Sequence, residues 1–168
     1  METHTMHKNS GSGKMDDARN MQYKRLIWMV VISFIAMYIL MYSMVDKLAN
    51  VIPNFNQFYM AGLMTASMII IEIMLMGSMY TNKKLNAFII AISALVLVVF
   101  FLFIRNETGI SDKQFLKSMI PHHGAAILMV EKANLKDPQV KKLASDIISS
   151  QSEQIDFMKA KIKELDNK

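Results

Sequence analysis

The stretch Met119-Ile120-Pro121-His122-His123 carries the most concentrated metal-binding chemistry in the chain, two adjacent imidazoles with a thioether just before them. Imidazole nitrogen suits copper and other late metals, and thioether sulfur is soft and favours Cu(I). On a helical wheel at roughly 100° per residue with Met119 as zero, Phe115, Leu116, His122, His123, Ala126, Ile127, Met129, Val130 and Ala133 fall within about 80° to either side. Lys113, Lys117, Glu131 and Lys132 lie outside that arc, as the solvent face of an amphipathic helix should. Both imidazoles are therefore expected on the apolar face. With Met158 from a following helix, the candidate metal ligands are His122, His123, Met119, Met158 and Met129, although a methionine on such a face also has a plain packing role.

Other chemistries lack their residues. The chain has no cysteine, which removes disulfides, thiolate catalysis and cysteine-ligated zinc, and suits a compartment in which free thiols are oxidised. A di-iron centre in a helical bundle needs Glu-x-x-His pairs, but Glu131 and Glu153 are followed at that spacing by Asn134 and Asp156. Zinc could take both histidines yet normally wants further nitrogen or carboxylate ligands. No set of residues combines a redox centre with an acid and a base, so an enzyme is not expected. The net charge of +5 is scattered over helix faces and apolar-segment flanks, with no basic stripe interleaved with aromatics, which argues against nucleic acid.

The elements that must hold this site divide at the composition. Hydrophobic residues make up 52% of the 168 and charged residues 20%, so the apolar ones are concentrated. Three apolar segments, at about 26–45, 58–80 and 85–104, each approach the ~20 residues that cross hydrocarbon, and predict a membrane region over 26–105 with three transmembrane helices. Residues 1–25 are polar, contain Gly11 and Gly13, and are expected to form a disordered cytoplasmic tail whose His4, Met6 and His7 lack a scaffold. Lys14, Arg19, Lys24 and Arg25 precede the first segment and Lys83 and Lys84 fill the second loop, whereas the first loop has Lys47 beside Asp46. That bias keeps the amino terminus and second loop in the cytoplasm. Residues 106–168 then lie outside it, periplasmic or extracellular, in a multi-pass protein of the cell's inner, cytoplasmic membrane.

The 17 methionines are absent from 85–104 but crowd the first two apolar segments. In the second, Met60, Met64, Met68, Glu72, Met76 and Tyr80 recur every four residues, a stripe with a carboxyl near mid-membrane. An ionisable group there is either functional or paired. It could serve metal or proton passage, or be a protonated Glu72 bonded to a hydroxyl such as Tyr38, Tyr42 or Ser93.

Punctuation makes 106–168 a helical hairpin. Ser111 with Gln114 forms a capping box, Asn134 to Lys136 breaks the first helix, and Asp137-Pro138 supplies an N-cap and an N1 proline for the second. The helices are expected at about 112–135 and 138–165, with a kink at Pro121. The second helix has a regular face of Val140, Ala144, Ile147, Ile148, Gln151, Ile155, Met158, Ile162 and Leu165. Antiparallel pairing about Lys136 sets His122 opposite Gln151, Met119 opposite Gln154 and Ile155, and Phe115 opposite Met158. Each apolar arc is wider than one neighbouring helix covers, so a homodimer or a partner membrane protein is expected to cover the rest.

The segment Asp112-Lys113-Gln114-Phe115, Met119-Ile120-Pro121-His122-His123, Ala126-Ile127, Met129, Leu143-Ala144, Ile147-Ile148, Ser150-Gln151, Gln154-Ile155 and Met158 resembles the bacterial family catalogued as domain of unknown function 305. The resemblance covers about 111–165. It implies a ferritin-like helical domain linked with copper binding and copper resistance. Gly124 stands where a glutamine often follows the histidines in that family, and Gln154 where an acidic residue is common, so a coordination scheme that needs the carboxylate does not transfer.

The expected protein is all-α: three transmembrane helices, then an extramembrane two-helix hairpin that is half of a ferritin-like four-helix bundle. Its expected function is membrane-anchored copper binding in copper homeostasis, sequestering Cu(I) or passing it on outside the cytoplasm. The alternative is a structural or adaptor membrane protein whose hairpin docks on a partner complex.

Overall fold

The computed structural model describes the backbone of residues 10–167 and the side chains of residues 20–167. Every regular element in that range is helical: α1 (Ser10–Leu40), α2 (Phe55–Leu75), α3 (Lys83–Arg105), α4 (Asp112–Lys132) and α5 (Pro138–Asp166), with short 3-10 turns at Met41–Met44 and Leu48–Asn50 between α1 and α2. Three spans, Asn20–Met44, Phe55–Leu75 and Lys83–Arg105, are long and apolar enough to cross a membrane. Ile32, Ile39, Leu95 and Phe101 on these helices are more than half exposed, presenting the outward apolar surface that a bilayer would cover.

Caps explain where the helices begin. Asn54 accepts a hydrogen bond from the Gln57 amide at 3.0 Å and Asn82 one from the Leu85 amide at 3.1 Å, which starts α2 and α3 before their apolar runs. Helix α1 reaches back to Ser10, so the stretch 10–25 expected as part of a disordered tail is helical. Once a long apolar helix has nucleated, each further residue adds a backbone hydrogen bond at small cost, and the glycines at 11 and 13 do not stop it. The histidines and methionine of residues 4–7 lie outside the described residues.

Helix α2 ends at Leu75, earlier than its methionine stripe suggested. Glu72 therefore sits in the last turn rather than mid-membrane, and its hydroxyl partner is none of the three anticipated: the Tyr80 hydroxyl donates to Glu72 Oε1 at 3.3 Å. Tyr80 leaves the stripe because the chain folds back after Gly77. It packs with Leu26 and Ile73, and its carbonyl accepts from Asn86 Nδ2 at 2.7 Å while Tyr23 donates to Asn86 Oδ1. Burial, then the neighbouring Glu72 carboxylate, pushes the Tyr80 phenol above its ordinary pKa, so it stays a donor.

Between α3 and α4 the chain turns at Glu107 and Gly109, both at positive φ. The cost at Glu107 is offset locally, since its carboxylate accepts from Asn56 Nδ2 at 3.0 Å and Tyr59 donates to the adjacent Thr108 carbonyl. Ser111 caps α4 by position but makes no side-chain bond, and Gln114 Oε1 is buried without a partner, so the anticipated capping box does not form. Helix α4 continues through Pro121 and stops at Lys132, short of the expected Leu135. Asp137 caps α5 as its sequence predicts, accepting from the Gln139 and Val140 amides at 2.8 and 3.0 Å.

Helices α4 and α5 run antiparallel. Lys113 pairs with Asp166 at one end, and His123 meets Gln154 in the middle. This pairing is centred near Pro138, two residues later than expected, which shifts the register of α5 on α4 by about one helical turn. The reason is the linker: Ala133 is extended, and Ala133 and Leu135 line a groove with Val140, Leu143 and Ala144, so the linker lies along the first turns of α5 instead of reversing sharply.

A second surface covers α4. Ile52 from the loop between α1 and α2 packs on the core formed by Ile120, Ile127, Ile155 and Met158, and Lys159 of α5 donates to Asn50 Oδ1. Asn50 in turn donates to Asp46 Oδ1 at 2.6 Å. Gly124 makes this approach possible, because a Cβ there would stand 2.5 Å from Asp46 Oδ1 and 3.2 Å from Val45 Cγ1.

Candidate metal site

The loop contact changes which face of α4 is inside. Ile120 is 0% exposed, and Pro121, His123, Gly124 and Ile127 are buried with it. The buried face is thus rotated by roughly 110° from the wheel centred on Met119. His123 is buried at 7% exposure, but His122 is exposed, and so are Met129 at 62% and Phe115 at 52%. The expectation that both imidazoles face inward is corrected: α5 on one side and the loop on the other define the interior, and His122 points away from both.

His123 is held at both ring nitrogens. Nδ1 lies 2.9 Å from the Met119 carbonyl and Nε2 lies 2.7 Å from Gln154 Oε1. A carbonyl only accepts, so Nδ1 carries the proton, and in a neutral ring Nε2 is then an acceptor. Turning the Gln154 amide half a revolution lets its NH2 donate to Nε2 and its oxygen accept from the Ser150 hydroxyl, now 3.3 Å from Gln154 Nε2. An imidazolium would instead donate to both oxygens. The neutral form is the tautomer a metal site requires: a ligating histidine usually donates its second N–H to a carbonyl, which orients the ring and leaves the other nitrogen for the ion.

The thioethers divide the same way. Met158 is buried in the core, and Met119 packs against the same cluster on the helix that carries His123. Met119 precedes His122 and His123 by three and four residues, so the three share one side of adjacent turns. The rings of His122 and His123 have centroids 6.2 Å apart at 62°. Met129 does not join them, because six residues beyond His123 it is displaced by about 9 Å along the axis and faces solvent. Among the described residues there is no group of three or more His, Cys, Asp or Glu able to hold a metal, so a site here would need the sulfur ligands. Histidine nitrogen with two thioethers is a donor set that fits Cu(I) and fits hard cations poorly.

Gln154 is absent from the ligands read from sequence, yet it meets the one ring nitrogen of the buried His123 that has no backbone partner. Its signal was the Ser150-Gln151 and Gln154 run, whose place opposite the histidines depends on a register that the linker decides. The loop residues Asp46, Asn50 and Ile52 gave no signal as neighbours of this helix.

Comparison with known proteins agrees with the resemblance carried by α4 and α5. The family model described as Domain of unknown function (DUF305) matches residues 104–167. An "Uncharacterized protein L153" of Acanthamoeba polyphaga mimivirus is 36% identical over 141 residues, covering 82% of this chain and 91% of the relative. That alignment is too long to lie in α4 and α5 alone, so the likeness extends into the apolar region. The relative is viral, and it lends no support to the expected bacterial setting. No solved structure matches the chain. A relative this similar over most of both lengths, together with the family match on the helices that carry His122 and His123, means that the chain belongs to the DUF305 family.

Proposed function

We propose that the protein is a membrane-anchored, non-enzymatic copper-binding protein that sequesters Cu(I) or passes it on outside the cytoplasm. The observation that carries this reading is the orientation of His123, whose Nδ1 bond to the Met119 carbonyl turns Nε2 toward Gln154, the neighbour in sequence of Ile155 in the core that contains Met158 and that Met119 packs against. Copper would enter by displacing the Gln154 amide from Nε2, with His122 as the exposed group that first meets the ion. The full-length protein, purified in detergent and desalted under reducing conditions, is expected to retain Cu(I). A protein that loses all copper in that step refutes the reading.

The orientation we propose puts the amino terminus and the α2–α3 loop in the cytoplasm and α4–α5 outside, in the periplasm or cell exterior, on the strength of Lys24, Arg25, Lys83 and Lys84. A reporter that works only outside the cytoplasm should be active after Lys168 and silent at Lys83. The reverse pattern would place the site in a reducing compartment.

We further read α4–α5 as a hairpin forming half of a ferritin-like bundle completed by a second copy. The support is the apolar edge that stays open, where Phe115, Met129, Leu143 and Phe157 are each more than half exposed. The same edge favours the second reading, an adaptor docked on a different membrane protein. Retained copper separates the two, since an adaptor has no need of it.

A further inference from the structure

At the outer end of the membrane helices is a cavity of about 430 Å³, lined by Tyr38 near the end of α1, Asn54, Phe55, Phe58 and Tyr59 at the start of α2, and Gln114 of α4. It lies where α1 leaves and α2 enters their apolar spans, the level that lipid headgroups would occupy around helices that cross a bilayer. We propose that this cavity binds an organic ammonium that bears N–H groups, supplied by the headgroup of an ethanolamine phospholipid.

The walls select the charge. No lysine, arginine or histidine lines the cavity to hold an anion, and no carboxylate lines it to hold a hard metal ion, which would want six or more oxygens. Aromatic faces attract an organic cation by their quadrupoles. The polar balance selects the N–H. Among the described residues, the buried side-chain atoms without a hydrogen-bond partner are all oxygens: Asp46 Oδ2, Asn56 Oδ1, Gln57 Oε1 and Gln114 Oε1. The layer joining the membrane helices to the outer pair is therefore rich in acceptors and short of donors.

Most of the wall's polar groups are already engaged. Asn54 accepts from the Gln57 amide and donates to the Ile52 carbonyl, Tyr59 donates to the Thr108 carbonyl, and the Tyr42 hydroxyl donates to the Ile52 carbonyl at 3.0 Å, which leaves its oxygen to accept from the Tyr38 hydroxyl at 3.4 Å. Gln114 is the wall residue whose amide oxygen lacks a donor. Rotation about its last side-chain bond, a torsion with a broad minimum, turns that oxygen to an incoming ammonium. A trimethylammonium headgroup would satisfy the aromatic faces and leave the oxygen unpaired.

The test uses the full-length protein in detergent, offered equal amounts of phosphatidylethanolamine, phosphatidylcholine and phosphatidylglycerol, with bound lipid read by native mass spectrometry. Ethanolamine lipid should be retained most, choline lipid less and glycerol lipid least. Gln114→Leu should cut the preference for ethanolamine over choline lipid by about tenfold, the effect of one hydrogen bond to a charged group. Gln114→Glu, which keeps the acceptor, should preserve the preference. Free ethanolamine that binds and displaces the lipid keeps the ammonium assignment and makes a soluble amine a second source. Equal retention of all three lipids overturns the proposal, as does an unchanged preference in Gln114→Leu. Should that variant not fold, the order of the three lipids on the unaltered protein still decides.

Discussion

His123→Ala is expected to abolish Cu(I) retention, whereas His122→Ala should leave a weakened but measurable site. The asymmetry comes from burial: His123 is fixed by the Met119 carbonyl and Gln154, while His122, about 100° round the helix from it, is exposed. Loss of an outer-shell partner typically costs about 10–100-fold in metal affinity, and loss of the only oriented nitrogen should exceed that range. Met119→Leu and Met158→Leu nearly conserve volume, so they separate ligand loss from damage to the core, and both should lower affinity while the helices stay folded. Met129→Leu should change nothing. Equilibrium competition with a Cu(I) chelator, with circular dichroism on each variant, measures all five. Equal losses from His122→Ala and His123→Ala would show that the site assembles around the exposed ring instead.

The second large effect concerns stability. Ile120→Ala removes three carbons from a side chain that is 0% exposed and touches Ile127, Ile155 and Met158, where two helices and the Ile52 loop meet. Large-to-small changes at such sites cost about 2–5 kcal/mol, against typical total stabilities of about 5–15. The substitution should therefore lower the unfolding midpoint of α4 and α5 by many degrees, and the docked loop should loosen with them. Met129→Ala, at 62% exposure, should cost no more than about 0.5 kcal/mol. Thermal unfolding of both variants in the same detergent is the comparison. A wheel centred on Met119 predicts the opposite order, so a larger loss at Met129 would return the interior to that face.

The features legible in the residue order alone are local ones. Runs of apolar residues near the length of a bilayer made α1, α2 and α3 legible, because hydrophobic length needs no tertiary partner to act. Asp137-Pro138 marked the start of α5, since a cap and its amides lie within three residues of each other. The family was readable from Met119 through Met158 for the same reason: the pattern is carried by residue types at set spacings. Where tertiary contacts competed with local signals, the structure decided. Periodicity gives the phase of a helix only if a single neighbour covers it, and α4 has two, so the Ile52 loop docked at Gly124 moved the interior from Met129 and His122 to Ile120 and His123. The four-residue stripe of α2 ran past the helix end, because the fold back after Gly77 that buries Tyr80 beside Leu26 is made by contacts with other helices. The register of α4 on α5 followed from the extended linker, and with it the meeting of His123 and Gln154. Chemistry was thus visible in the residue types, while which imidazole is buried and oriented depended on surfaces distant in the chain.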